Sequence, residues 1–318
     1  MQYLFHTPIP VTWLLADILT LLISLVVVVF IVQKSKHPVS VLLEGFAFVF
    51  LYASVFENFA VVNGWYVYGH SLSMIGDVPL SVPLIEMDVL LMGIWLLEKM
   101  EIPEWCKPFI VGFLGMLLDF SLDPVAVNQI FTIGGVTSGR WTWLLPAGMV
   151  NIYGIPVYNF PGWMLIMLYS TTFVLLGRAW HRRSGYKPLV GYVYPFLAMM
   201  LALIAMVSPL SQFLLWLAPI GTKGGNTEWV MLVFHLIFPC LLLVFFWRGR
   251  MKTALTLKDD YGVFAVFFLL PLSNIIFGIA GRFTNISWLV LLSSFLLWGL
   301  LGLIFNAGVR LKNQALPT

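Results

Sequence analysis
Runs of apolar residues long enough to cross a bilayer recur along this chain, at about 12–32, 39–62, 78–98, 108–130, 161–180, 189–210, 229–247, 261–281 and 286–308. In hydrocarbon no water is available to pair with backbone amides, so a run of this length is restricted to a helix that satisfies its own hydrogen bonds. Composition supports the same reading. Of 318 residues, 60% are hydrophobic and only 10% are charged, too little polar surface for a soluble chain of this size. The sequence therefore predicts an all-α, polytopic transmembrane bundle of about nine helices, with eight the nearest alternative. Nothing divides the chain, so residues 1–318 read as one integral-membrane domain.

The basic residues orient the bundle. With the N-terminus outside, the inner connections hold fourteen Lys and Arg residues, and the outer ones hold Arg140, Lys223 and Arg282. This asymmetry follows the positive-inside rule and places the C-terminus in the cytoplasm of a cell membrane. The outer connections are aromatic and turn-prone: NGWYVYGHSLSMIGD at 63–77, and a long loop at 131–160 that runs into Trp163. Such segments suit either an aromatic belt at the headgroups or a lid over the bundle mouth.

Acidic residues fall within these runs, among them Glu44, Glu57, Glu86, Asp88, Asp119 and Asp123. No Lys or Arg lies well inside a run to neutralise them. Two aspartates near the centre of a spanning helix cost about 5–7 kcal/mol of insertion energy, so acids at this depth mark function. Asp119 and Asp123, four apart, project within about 40° of each other and share a face. Glu86 and Asp88 point to nearly opposite sides, so one of them is expected to join that face. Glu57 lies at similar depth, and Glu44 reads as a first-turn acid at a helix N-terminus. Crowded carboxyls in low dielectric cannot all ionise, which leaves an acid beside a carboxylate, suited to proton transfer. Neutral acids that only tie helices together are the bland alternative.

Other chemistries find no support. The five histidines (His6, His37, His70, His181, His235) form no HxxxH or HxxH pair, and Cys106 and Cys240 form no CxxC. No metal and no cofactor is expected, and no nucleic acid as partner. His235, alone within a run, reads as a packing residue.

Glu57 followed by NGWYVYG, VPLSVPL at 78–84, LDFSLDP at 118–124, GRWTW at 139–143 and YGIPVYNFPGW at 153–163 resemble the membrane carotenoid-biosynthesis family. Its characterised members include carotenoid 1,2-hydratases. The resemblance covers about residues 40–240 and leaves a helical hairpin at 259–310 as an addition. It implies a cofactor-independent hydro-lyase that adds water across a terminal double bond of an acyclic carotenoid or other polyisoprenoid. Asp123, Asp119 and Glu57 would then be the catalytic acid and base. Trp141, Trp143 and Tyr158 would face the carbocation, and Asn159 would orient the water. Tyr66 and Trp163, in the matching blocks, join the substrate-binding set, as do Glu86 and Asp88 on depth alone. The substrate would enter from the lipid bilayer. Two other readings stay open: a proton-coupled transporter, and a non-catalytic carotenoid- or lipid-binding protein.

Overall fold
A computed structural model describes residues 9–133, 135–218, 226–282 and 285–314. His6 and Lys223 lie outside the described residues. The helices are α1 (Val11–Lys34), α2 (Pro38–Val62), α3 (Ser81–Glu98), α4 (Lys107–Asn128), α5 (Asn159–Arg183), α6 (Pro188–Met206), the short α7 (Pro209–Trp216), α8 (Thr227–Trp247), α9 (Tyr261–Ala280) and α10 (Ser287–Gln314). All nine apolar runs thus become helices, and the chain is an all-α, multi-pass membrane protein. Eight of those nine are long and apolar enough to span by length and composition. The exception is α3, whose 18 residues include Glu86, Asp88 and Glu98. It is sheathed by protein, with 15 of those residues buried, so Glu86 and Asp88 face other helices rather than lipid, while Glu98 at its end is exposed.

The hub of the bundle is α4. In its most apolar stretch 94% of residues are buried, against 33% for the peripheral α8. It packs on α3, α5, α8, α9 and α10. The approach of α5 depends on two glycines. A Cβ at Gly112 would sit 2.7 Å from the Met164 carbonyl oxygen, and one at Gly115 would sit 2.9 Å from Met167 Cγ. Small residues at such crossings let backbones meet where hydrophobic driving force between helices is weak.

Polar clasps close the basic end. Glu44, expected as a first-turn acid without a defined partner, is fully buried. It receives two bonds from Arg178 (Nε 2.8 Å and Nη2 2.6 Å) and one from the Tyr194 hydroxyl. The expectation that no basic residue reaches a buried acid fails here, because Arg178 extends along α5 from its last turns. Lys99 pairs with Asp260 at 2.8 Å.

At the other end the connections fold into short antiparallel ribbons. Strand β1 (Tyr66–Tyr68) pairs with β6 (Trp141–Trp143). Between them in sequence lie the hairpins β2–β3 (Met74–Ile75, Val78–Pro79) and β4–β5 (Phe131–Ile133, Val136–Ser138), and β7–β8 (Asn151–Ile152, Ile155–Pro156) follows. The last hairpin turns through Tyr153 and Gly154, both at positive φ (53° and 84°), as a two-residue hairpin loop requires. The β1–β6 pairing makes the aromatic segments a roof over the bundle.

Replacing Gly112 with Ala should lower stability by about 1–3 kcal/mol, the usual cost of overpacking. Gly299→Ala, where the new methyl meets nothing within 4 Å, should leave it unchanged or slightly raised. Thermal unfolding of the two variants in detergent checks the contrast.

Candidate active site
The site lies beneath the β1–β6 ribbon, where α2, α4 and α5 meet. Asp119 and Asp123 come from α4, one turn apart on one face, as their spacing requires. Asn159 is the first residue of α5 and reaches both: its Nδ2 donates to Asp119 Oδ2 (2.8 Å) and to Asp123 Oδ2 (2.7 Å). Trp163, one turn along α5, shares the Asn159 face. Pro124 follows Asp123 within α4 and has no N–H to give the Phe120 carbonyl. The Phe120 ring stacks on Phe160 at 3.9 Å, which joins the two helices beside the aspartates.

Glu57 approaches from α2, just beyond a π-helical turn at Phe48–Ala53. Such turns insert an extra residue and shift the helix face, and they recur at functional sites. Its Oε2 accepts the Tyr66 hydroxyl at 2.5 Å and the Tyr68 hydroxyl at 2.6 Å. Because side chains alternate along a strand, Tyr66 and Tyr68 point the same way. Their cross-strand partners, Trp143 and Trp141, stand beside them at ring distances of 4.6 and 5.9 Å. Burial first, then the Glu57 carboxylate, pushes both tyrosine hydroxyls well above their ordinary range, so they remain O–H donors. Tyr158, also raised by burial, packs against Trp143 and Trp216.

Two adjoining cavities result. A small one of about 40 Å³ is lined by Glu57, Asp123, Arg140 and Tyr68, with Trp141 on its wall. A larger one of about 320 Å³ is apolar and is lined by Phe56, Tyr158, Ile166, Leu215 and Trp216 among others. Glu57, Tyr66, Trp143, Asn159 and Trp163 line both, so these residues form the boundary between the chambers. The larger cavity reaches the bundle exterior beside Phe59 of α2 and Val207 after α6, both exposed. Trp143 Nε1 is buried at the boundary, on the side of Asp123.

Not every expected residue lines this space. Asp119 is fully buried behind Asp123, with the two carboxyls in contact. Glu86 also lines neither cavity. It sits within electrostatic reach of Glu57 and Asp119, with both carboxyl oxygens unpaired. Asp88 faces the opposite way and accepts a bond from Ser24 of α1 at 2.7 Å.

Several participants escaped the sequence reading. Asp17 is a seventh buried acid within a span. Its carboxyl binds Arg140 Nη2 (2.5 Å), Ser81 (2.7 Å), Ser71 (2.5 Å) and the Leu72 amide (2.9 Å). Arg140, expected in an outer connection, is buried there and lines the small cavity. Glu228, at the start of α8, is buried and accepts the Tyr158 amide at 3.3 Å. Tyr68 could have been found from the alternation in Tyr66–Tyr68. Nothing local marks Trp216 or Glu228, which arrive through packing of α7 and α8. Among the described residues no group of three or more His, Cys, Asp and Glu side chains is placed to hold a metal ion.

A sequence profile described as carotenoid biosynthesis protein matches residues 15–222, about two thirds of the chain. The chain belongs to the carotenoid biosynthesis protein family. Every residue that lines the two cavities falls inside the matched segment, whereas α8, α9 and α10 follow it. This membership assigns the protein a role in carotenoid biosynthesis within a membrane. No curated protein and no solved structure shows a significant match to it.

The buried Asp17–Arg140 pair locks α1 to the loops that roof the site. Arg140→Met alone should cost about 3–5 kcal/mol, because it strands a buried carboxylate. Adding Asp17→Asn should recover part of that loss. Unfolding midpoints of the single and double variants test the pairing.

Proposed function
We propose that this protein is a hydratase that adds water across a terminal carbon–carbon double bond of an acyclic carotenoid or related polyisoprenoid. The observation that carries the reading is the pairing of chambers: a small polar one bearing Asp123 and Glu57 opens onto an apolar one that reaches the lipid face. The first has room for water but little else. The second is sized for the end of a prenyl chain, with the remaining polyene lying between helices α2 and α6 and outward into lipid.

Asp123 is the acid. Its carboxyl proton adds to the less substituted alkene carbon, the π electrons form the new C–H bond, and a tertiary cation is left on the neighbouring carbon. Trp143, Trp163 and Tyr66, which border both chambers, present ring faces to that cation, an interaction worth up to about 2 kcal/mol in a dry site. Water held in the small chamber then forms the C–O bond. Its surplus proton passes to Glu57, whose Oε2 is held by two tyrosines and whose Oε1 is left to receive it. The sum is alkene plus water giving a tertiary alcohol, with no electrons exchanged. The proton moved from Asp123 to Glu57 returns through the chamber water before the next turnover.

Asn159 has a different part from simple water orientation. Its Nδ2 is occupied by the two aspartates, so it fixes their geometry and leaves only Oδ1 to accept from water. Asp119, which does not reach the chambers, is a positioning residue that shares the Asn159 donor with Asp123. Glu86 and Asp88 contribute field and packing, not substrate contact.

Expressed in a host that accumulates acyclic carotenes, the protein should yield pigment heavier by one water. Asp123→Asn should cut conversion at least a hundredfold, within the range of lost acid–base catalysis, while protein levels stay unchanged. Full conversion by that variant would exclude the mechanism. An unaltered pigment profile with the unmodified protein would favour transport or carotenoid binding.

A further inference from the structure
At the end of the bundle away from the aromatic ribbon, a cavity of about 600 Å³ opens between the end of α8, the turn that follows it and the last turns of α10. Arg248, Arg250 and Arg310 line it, the first two from the turn and the third from α10. None of the three forms an ion pair among the described residues, whereas Lys34, Lys99, Lys107 and Arg178 each do. One carboxylate, Glu101, shares the wall, so three cations less one anion leave a net charge of +2.

The turn that carries Arg248 and Arg250 is pinned. Arg248 and Gly249 both take positive φ, at 51° and 73°. The Arg250 carbonyl accepts Trp247 Nε1 at 2.8 Å and the Glu101 amide at 3.0 Å, and Met251 forms a β-bridge with Met100. The arginines are thus presented by a fixed backbone rather than a loose loop. On α10, Leu303, Ala307 and Arg310 follow one helical face over about 10 Å. Leu303, at the apolar end of that stripe, is 63% exposed.

A track that runs from bare leucine to unpaired arginines matches an amphiphile with an anionic head. We propose that this cavity binds the headgroup of an anionic phospholipid, with the arginines on its phosphodiester and an acyl chain along Leu303. Basic pockets between helices at a membrane boundary recognise such headgroups through the same charge complementarity. Inorganic phosphate shares the headgroup chemistry but has no chain to lie on Leu303. The site is independent of the hydratase reading, since it lies at the opposite end and shares no residue with the two chambers.

The test is lipid retention by the full-length purified protein, followed by native mass spectrometry with phosphatidylglycerol and phosphatidylcholine. Phosphatidylglycerol should be retained preferentially and should resist millimolar inorganic phosphate. Each single Arg→Ala change should weaken retention about fivefold, and the triple variant about a hundredfold. A Lys36→Ala/Lys258→Ala variant, which removes charges at the same end but outside the cavity, should bind as the unmodified protein does. Retention unchanged in the triple arginine variant would overturn the proposal, as would an equal loss in the lysine variant. Displacement by phosphate would make it a free-anion site and overturn the lipid assignment.

Discussion

The Asn159 amide, donating to Asp119 and Asp123 at once, is the interaction around which the site is arranged. Two aspartates on one face of the most buried helix have no cation beside them and no bulk water to solvate them. A single side-chain NH₂ supplies a donor to each and sets their spacing. It can do so only because α5 begins at residue 159, at the depth of the aspartates, and because Gly112 and Gly115 let α5 lie close against α4. The position of the carboxyls, the stacking of Phe120 on Phe160 and the placement of Trp163 all follow from that contact between helices.

A complementary arrangement holds Glu57 from above. Its donors come from the β1–β6 ribbon, not from a helix, so the aromatic loop both seals the site and satisfies its third carboxyl. The ribbon is in turn fastened to the bundle by Arg140 on Asp17. Two groups of buried acids stand out. Asp17, Glu44 and Asp260 are paired with Arg140, Arg178 and Lys99 and serve as structural clasps. Glu57, Glu86, Asp119 and Asp123 have no basic partner among the described residues and cluster beneath the ribbon. Carboxyls without counter-ions, next to a cavity, are what proton transfer to an alkene demands.

The helices were legible in the sequence because a spanning segment has few options: nine apolar runs gave nine helices, and the spacing of Asp119 and Asp123 predicted their shared face. The convergence of Asp123, Glu57, Trp143, Asn159 and Trp163 was legible through depth and motif together. Pairings across distant segments were not. Asp17 seeks Arg140 over 123 residues and Glu44 seeks Arg178 over 134, and no local pattern reveals either. Asp88 and Glu86 differ in the structure by which neighbour faces them, α1 in one case and the site in the other, a matter of helix rotation that periodicity alone leaves open. Tyr68 was within reach through strand alternation, but only once the segment is known to be a strand.

Water addition by a carboxylic acid makes a specific demand on where each atom of the product comes from. The most direct measurement is conversion of an acyclic carotene by the purified protein in D₂O and, separately, in H₂¹⁸O. The proposed chemistry predicts one ¹⁸O in the new hydroxyl and one non-exchangeable deuterium on the adjacent carbon. Hydroxyl oxygen derived from O₂, or product lacking the carbon-bound deuterium, would contradict it.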